Sequence, residues 1–147
     1  MPHAKAPRAL SRQRSLARKL ALQALYRWQI NECSWQDLVQ EFSTTEDMPR
    51  ADGEYFRALL AGICAGRTAL DARLAELLDR SPELLDPVEH AALLIGVYEL
   101  EQRLDVPYQV AISEAVILAK RFGATDGHKY VNAVLERAAR ALRPQEH

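Results

Sequence analysis

The chain predicts an all-α fold, and three observations carry that reading. Apolar residues recur at helical spacing in one stretch after another, from Leu16 to Leu142. No stretch alternates apolar and polar residues convincingly with the period of two that a half-buried strand needs. The breaks between periodic stretches carry helix start and stop residues, among them Ser34, Asp52, Asp86-Pro87 and Gly123. At 147 residues the chain can bury one core without disulfide or metal staples. A three-plus-four grouping of helices is compatible with the order of the segments.

Residues 1–11 hold two prolines, small residues and no periodicity, and read as a disordered basic arm. A helix is expected from about Arg12, with Leu16, Ala17, Leu20, Ala21, Ala24, Leu25 and Trp28 on one wide apolar face. Asn31-Glu32-Cys33-Ser34 breaks it, and Ser34 or Asp37 can start a short second helix through Leu38, Val39 and Phe42. Residues 43–53 are polar, with Pro49 and Gly53, and read as a loop. Asp52 is a fitting N-cap for one long third helix that carries Tyr55, Phe56, Leu59, Leu60, Ile63, Leu70 and Leu74 and ends near Ser81-Pro82. Gly62 and Gly66, one turn apart on it, suit close helix packing.

The clearest start signal is Asp86-Pro87-Val88-Glu89: a capping residue, a proline at the first helical position and a Glu at the third. The run Ala91 to Tyr98 that follows is apolar all round, so that helix must be the buried centre of the molecule. Next comes the stretch from Asp105 to Leu135, an amphipathic helix, a tight break and the start of another helix. In the break, Gly123 suits a left-handed position, and Thr125 or Asp126 suits the cap of the next helix. His128, Lys129, Tyr130 and Asn132 then crowd its first turns. Open N–H groups beside a lysine make a reasonable phosphate site.

Composition excludes several classes. The longest apolar runs fall short of the ~18 residues of a membrane span, and the N-terminus has no secretory apolar core. Cys33 and Cys64 form neither a CxxC pair nor a disulfide framework, sit in helical context, and suit a reducing cytoplasm. No glycine-rich phosphate loop or GxSxG elbow is present, and the four histidines lack partners at zinc spacing. Glu114 reads as a solvated or capping carboxylate. Nothing points to an enzyme, a metal or a cofactor.

Charge points instead to binding. The net charge of −1 hides a basic segment, residues 1–31, with seven Lys or Arg and no acid. An acid-free basic segment on an acidic body suits an anionic partner such as nucleic acid, or else a solubilising tail. Arg14, Arg18 and Lys19 lie in the opening turns of the first helix without forming one stripe, and a strand of RNA wrapping the helix start could touch all three. Tyr130 beside Lys129 could supply the aromatic on which a base stacks, although packing is its blander role. By residue type alone, Asp126 is a cap before it is a contact.

Five segments in order, 17–29 (ARKLALQALYRWQ), 55–62 (YFRALLAG), 88–100 (VEHAALLIGVYEL), 105–124 (DVPYQVAISEAVILAKRFGA) and 126–139 (DGHKYVNAVLERAA), resemble the NusB family of bacterial antitermination factors. The resemblance runs from about Arg12 to Arg143 and implies one domain over 12–143, a compact bundle of about seven helices in two packed helical subdomains. It implies binding of boxA single-stranded RNA from ribosomal RNA leader transcripts, with ribosomal protein NusE as partner. RNA polymerase would read through terminators as the indirect result.

By the same resemblance Arg14 and Arg18 match the RNA-contacting start of the first helix, and Asp126, His128, Lys129 and Tyr130 match a second RNA stretch. Tyr26 and Glu89 match the NusE surface. Ser15 and Leu16 stand where arginines are usual; Arg12 can compensate, and Lys19 replaces a common acid. Leu94, Gln109, Ser113 and Ala133 also depart from the usual Arg, Lys, Asn and Gly. Two other readings are an RNA-binding module of a ribosomal RNA cytosine methyltransferase and a purely structural adaptor. The first has no room for a catalytic domain before His147, and the second leaves the basic segment unexplained. Monomer and homodimer both stay open.

Overall fold

The computed structural model describes residues 6–146, and the chain divides into two compact units, Met1–Cys64 and Ala65–His147. Among the described residues the regular structure is helical throughout, with seven α-helices and three short 3-10 turns. The all-α expectation and the three-plus-four grouping both hold. No helix among the described residues is long and apolar enough to cross a membrane.

The first unit holds α1 (Ala6–Ile30), α2 (Trp35–Phe42) and α3 (Gly53–Ala65). α1 starts earlier than expected, so residues 6–11 are helical rather than part of a disordered arm. Pro7 falls in the first turn, where its missing N–H and fixed φ cost nothing, and the Ala, Arg and Leu that follow are good helix formers. The rest of that arm, residues 1–5, lies outside the described residues. Ser34 caps α2 by accepting from the Asp37 N–H at 3.1 Å. Asp52 caps α3 through Oδ1, which accepts from the Tyr55 N–H at 3.0 Å. Cys33 lies in the α1–α2 connector instead of a helix; it and Cys64 are half-buried and not joined in a disulfide.

Ala17, Leu20, Ala21, Ala24 and Leu25 are buried as their spacing predicts, with Leu22 added and Leu16 and Trp28 only partly covered. Phe42 and Phe56 bring α2 and α3 together at a 6.0 Å ring separation with a 36° tilt, a geometry that aromatic quadrupoles favour. A fully buried side chain such as Phe56 contributes about 1.5–3 kcal/mol.

The second unit holds α4 (Arg67–Leu77), α5 (Pro87–Gln102), α6 (Tyr108–Phe122) and α7 (Gly127–Leu142). The single long helix expected after Asp52 is divided at Gly66, whose φ of −98° and ψ of 14° leave the helical region. Glycine has the least helical preference short of proline, so the break falls there. Leu70 N–H then bonds the Gly66 carbonyl at 2.9 Å and starts α4.

α5 is the buried centre, as its all-round apolar run requires: every residue from His90 to Val97 is buried. Its start is capped by Asp86 Oδ2, which accepts from the N–H groups of Val88 (3.1 Å) and Glu89 (3.3 Å). α6 and α7 pack on it and on each other, and α4 packs on it as well. At Gly96 a Cβ would lie 2.7 Å from Leu135 Cδ1, so the missing side chain lets α7 approach.

Two details of the α6–α7 break differ from expectation. Gly123 is extended (φ −92°, ψ −175°) rather than left-handed; a Cβ there would meet the Ala119 carbonyl oxygen at 2.7 Å. The left-handed residue is Asp126 (φ 68°), and its side chain makes no capping hydrogen bond. Asp is one of the few residues that tolerates this conformation.

α7 ends on a residue that nothing in the local pattern singled out. The buried guanidinium of Arg143 donates to the carbonyls of Glu99 (3.0 Å), Leu100 (3.0 Å), Arg103 (2.9 Å) and Val106 (2.5 Å). It thereby closes the carboxyl end of α5, whose last carbonyls have no partner within the helix.

Candidate nucleic-acid and partner surfaces

In the first unit the basic residues of α1 part into exposed and enclosed sets. Arg12 is exposed, and Arg8, one turn earlier on the same helix, is exposed too. Arg8 counts in the basic segment but not among the expected RNA contacts, because its segment reads as disordered. Arg14 is half-buried: its guanidinium lies 4.4 Å from the centroid of the Tyr55 ring, and its Nε is 4.0 Å from Asp52 Oδ2. The Asp52 N–H donates to the Gln13 carbonyl at 3.0 Å, which fixes the start of α3 beside Arg14.

Arg18 is only 2% exposed. Its neighbours three, four and seven residues on, Ala21, Leu22 and Leu25, are all buried, so this face of α1 turns inward. Its guanidinium lies 5.5 Å from the same Tyr55 ring. In the chain alone, Arg18 is thus enclosed against Tyr55 rather than presented to solvent. Lys19 Nζ donates to Asp47 Oδ2 at 2.9 Å, and Arg50 binds the other oxygen of that carboxylate. The Lys19 hydrogen bond, opposed by desolvation and aided by Arg50, holds the Asp47 carboxyl below its usual range. Lys19 thus fastens the turn at Met48–Arg50 to α1.

In the second unit the four residues expected at the α7 start do come together. Asp126 and Lys129 face each other across 3.3 Å, both well exposed, Lys129 at 72%. His128 is half-buried. Tyr130, also half-buried, donates its hydroxyl hydrogen to Asp79 Oδ1 at 2.9 Å. Arg80 lies over the Tyr130 ring at 4.6 Å, and its Nε donates to Asp79 Oδ1 at 2.8 Å. Hydrogen bonds from Arg80 and then Tyr130 hold the Asp79 carboxyl down at about 2, so it is ionised at any ordinary pH. Sequence reasoning missed Asp79 and Arg80, which sit 51 and 50 residues before Tyr130 and match no motif.

The two residues matched to a protein partner belong to different units. Tyr26 on α1 is 42% exposed, and Ile30 one turn on is exposed as well. Glu89, in the first turn of α5, is half-buried. Its carboxylate fills the space that a Cβ on Gly127 would take, with Oε2 only 2.1 Å from that position. Burial and then the charge of Asp86 push the Glu89 carboxyl up, with Arg80 opposing. A carboxylate held at this cost beside the start of α7 suits a functional surface better than a stabilising one.

The NusB family model matches residues 15–140, nearly the whole chain. The chain belongs to the NusB family. It is 50% identical over 138 residues to the transcription antitermination protein NusB of Marinomonas sp. (strain MWYL1), covering 92% of this chain and 79% of that protein. It is 48% identical over 141 residues to the NusB of Methylobacillus flagellatus, covering 96% and 91%. Among solved structures, T. maritima NusB superposes with a TM-score of 0.78 at 29% identity over 90% of this chain and 94% of that one. A chain in the crystal structure of antitermination factors NusB and NusE in complex with dsRNA gives 0.73 at 27% identity, over 88% and 98%. NusB membership accounts for the order of the five matched segments and for the seven helices.

Proposed function

We propose that this chain is a non-enzymatic antitermination factor of the cytoplasm. In this reading it binds boxA single-stranded RNA of ribosomal RNA leader transcripts together with ribosomal protein NusE. RNA polymerase then reads through terminators because the assembly rides with it. The observation that carries the reading is identity of about half along nearly the whole chain with NusB antitermination proteins. The surface chemistry agrees with it. Lys129 at the α7 start, and Arg12 with Arg14 on α1, offer cations to phosphates, His128 offers a ring nitrogen for hydrogen bonding, and the Tyr130 ring offers a face to a base. Asp126 sets the Lys129 ammonium in place. Arg18 and Lys19 serve by fixing Tyr55 and the Asp47 turn. Tyr26 and Glu89 are the residues proposed to meet NusE. No cofactor is needed.

A titration with boxA RNA, a scrambled RNA of equal length and a duplex, each with and without NusE, tests the reading. Selective binding to boxA RNA that tightens with NusE is expected. Equal, weak binding to all three that NusE leaves unchanged contradicts it. The exposed pair Tyr26 and Ile30 also suits a second copy of the chain. A homodimer through α1 would then give a mass that doubles with concentration and falls when NusE is added.

A further inference from the structure

We infer that Arg80, on the connector between α4 and α5, is itself an RNA-contact residue. Its guanidinium, laid on the Tyr130 ring and held by Asp79, forms the outer layer of a platform on which one unpaired base stacks. This rests on the RNA-binding reading above and assigns part of the site to a segment outside both expected RNA stretches.

The geometry is that of a built surface. Asp79 Oδ1 accepts from both the Tyr130 hydroxyl and Arg80 Nε, and Asp79 Oδ2 lies 3.4 Å from Arg80 Nη2. One carboxylate therefore fixes the rotation of the ring and the plane of the guanidinium together. The end of α4, from which the connector leaves, is also tied to α7 independently of Tyr130: two turns along, Arg137 Nη2 donates to the Leu77 carbonyl at 2.7 Å. Arg80 is thus kept on the α7 surface by two separate rungs.

The energetics favour a functional role over a structural one. Arg80 and Asp79 are adjacent in sequence and exposed, at 46% and 68% for their side chains. Such exposed pairs add little to stability, while holding a long side chain in one rotamer costs entropy. A ligand that binds the ordered pair is spared that ordering cost. A guanidinium plane over a tyrosine presents a cationic flat face, which suits a base with its phosphate nearby. An unpaired base fits, because the bases of an A-form duplex are already stacked on each other. Lys129, exposed and paired with the exposed Asp126, is placed to take the adjoining phosphate.

The experiment uses the full chain and a boxA RNA carrying 2-aminopurine at one position at a time. Fluorescence quenching reports stacking, and anisotropy across a salt series reports affinity. The unmodified protein should quench one position. Arg80→Gln should abolish that quenching, weaken binding about tenfold and lower the salt slope by about 0.7, with the melting temperature unchanged. Lys129→Ala should weaken binding yet keep the quenching. Arg80→Lys, which retains the charge without the flat face, should lose the quenching and keep the slope, and it guards against a folding defect in the Gln variant. If Arg80→Gln binds and quenches like the unmodified protein while Lys129→Ala binds more weakly, the platform is mere packing and this inference fails alone. If the unmodified protein binds no RNA, the functional reading fails and takes this inference with it.

Discussion

Replacing Arg143 by Met should be the most damaging single change outside the apolar core. The guanidinium is buried and gives four hydrogen bonds to carbonyls of α5 and of the α5–α6 connector. Met fills much of the same volume, so the loss is chiefly in those bonds. A bond from a charged donor is worth about 1.5–3 kcal/mol, and a carbonyl left buried without a partner costs about 1–3 kcal/mol. Water entering at the helix end would rescue some of the four, which leaves a net loss of about 3–5 kcal/mol. For a chain of this size that is a drop in Tm of about 10 °C. Urea unfolding followed by circular dichroism measures it directly. Arg143→Lys should recover less than half, because one ammonium cannot reach four carbonyls spread over Glu99 to Val106. A loss below about 1 kcal/mol in the Met variant would refute the reasoning and make Arg143 an ordinary surface charge.

Three further outcomes are expected. Glu89→Gln should raise Tm at pH 7 while weakening NusE binding. The folded-state pKa of Glu89 is raised by burial and Asp86, so its contribution to stability is fully present below the unfolded value and lost as pH rises through the folded one; a melting series should show the gain of the Gln variant vanish below about pH 4. Gly127→Ala should destabilise by about 1–3 kcal/mol because the new Cβ overlaps Glu89, and the same change in a Glu89→Ala background should cost much less; equal losses in both backgrounds would show that the overlap is not the cause. Lys129→Ala should weaken boxA RNA binding several-fold and lower the salt slope by about 0.7, the value for one phosphate contact on a single strand; a filter-binding series from low to moderate salt checks this.

Much of the fold was legible because its signals are local. Ser34, Asp52 and Asp86 each cap the helix they precede, and a cap needs only the next three residues. The all-round apolar run of α5 could mean nothing but burial. The misjudged points turn on local backbone conformation that periodicity does not show. Residues 6–11 read as an arm because they show no apolar periodicity, yet they form the start of α1. Gly66 and Asp126 decide the ends of helices through backbone conformations that composition does not reveal.

The candidate site was legible only as a set of residue types. Lys129 and Tyr130 stand where expected, but the burial of Arg18 and the pairing of Lys19 with Asp47 follow from which face of α1 turns inward. Asp79 and Arg80 had no signal at all, since an adjacent Asp-Arg pair before a proline is ordinary on any surface. Only the return of α7 past the α4–α5 connector makes them part of a site.

The central claim is that this chain works with NusE on boxA RNA to carry RNA polymerase through a terminator. Reconstituted transcription on a template with boxA ahead of a terminator, in the presence of the other antitermination components, measures that directly. The account predicts that read-through rises when this protein is added, needs NusE and an intact boxA, and falls with Lys129→Ala. Read-through that is the same with a scrambled boxA, or without NusE, would contradict it.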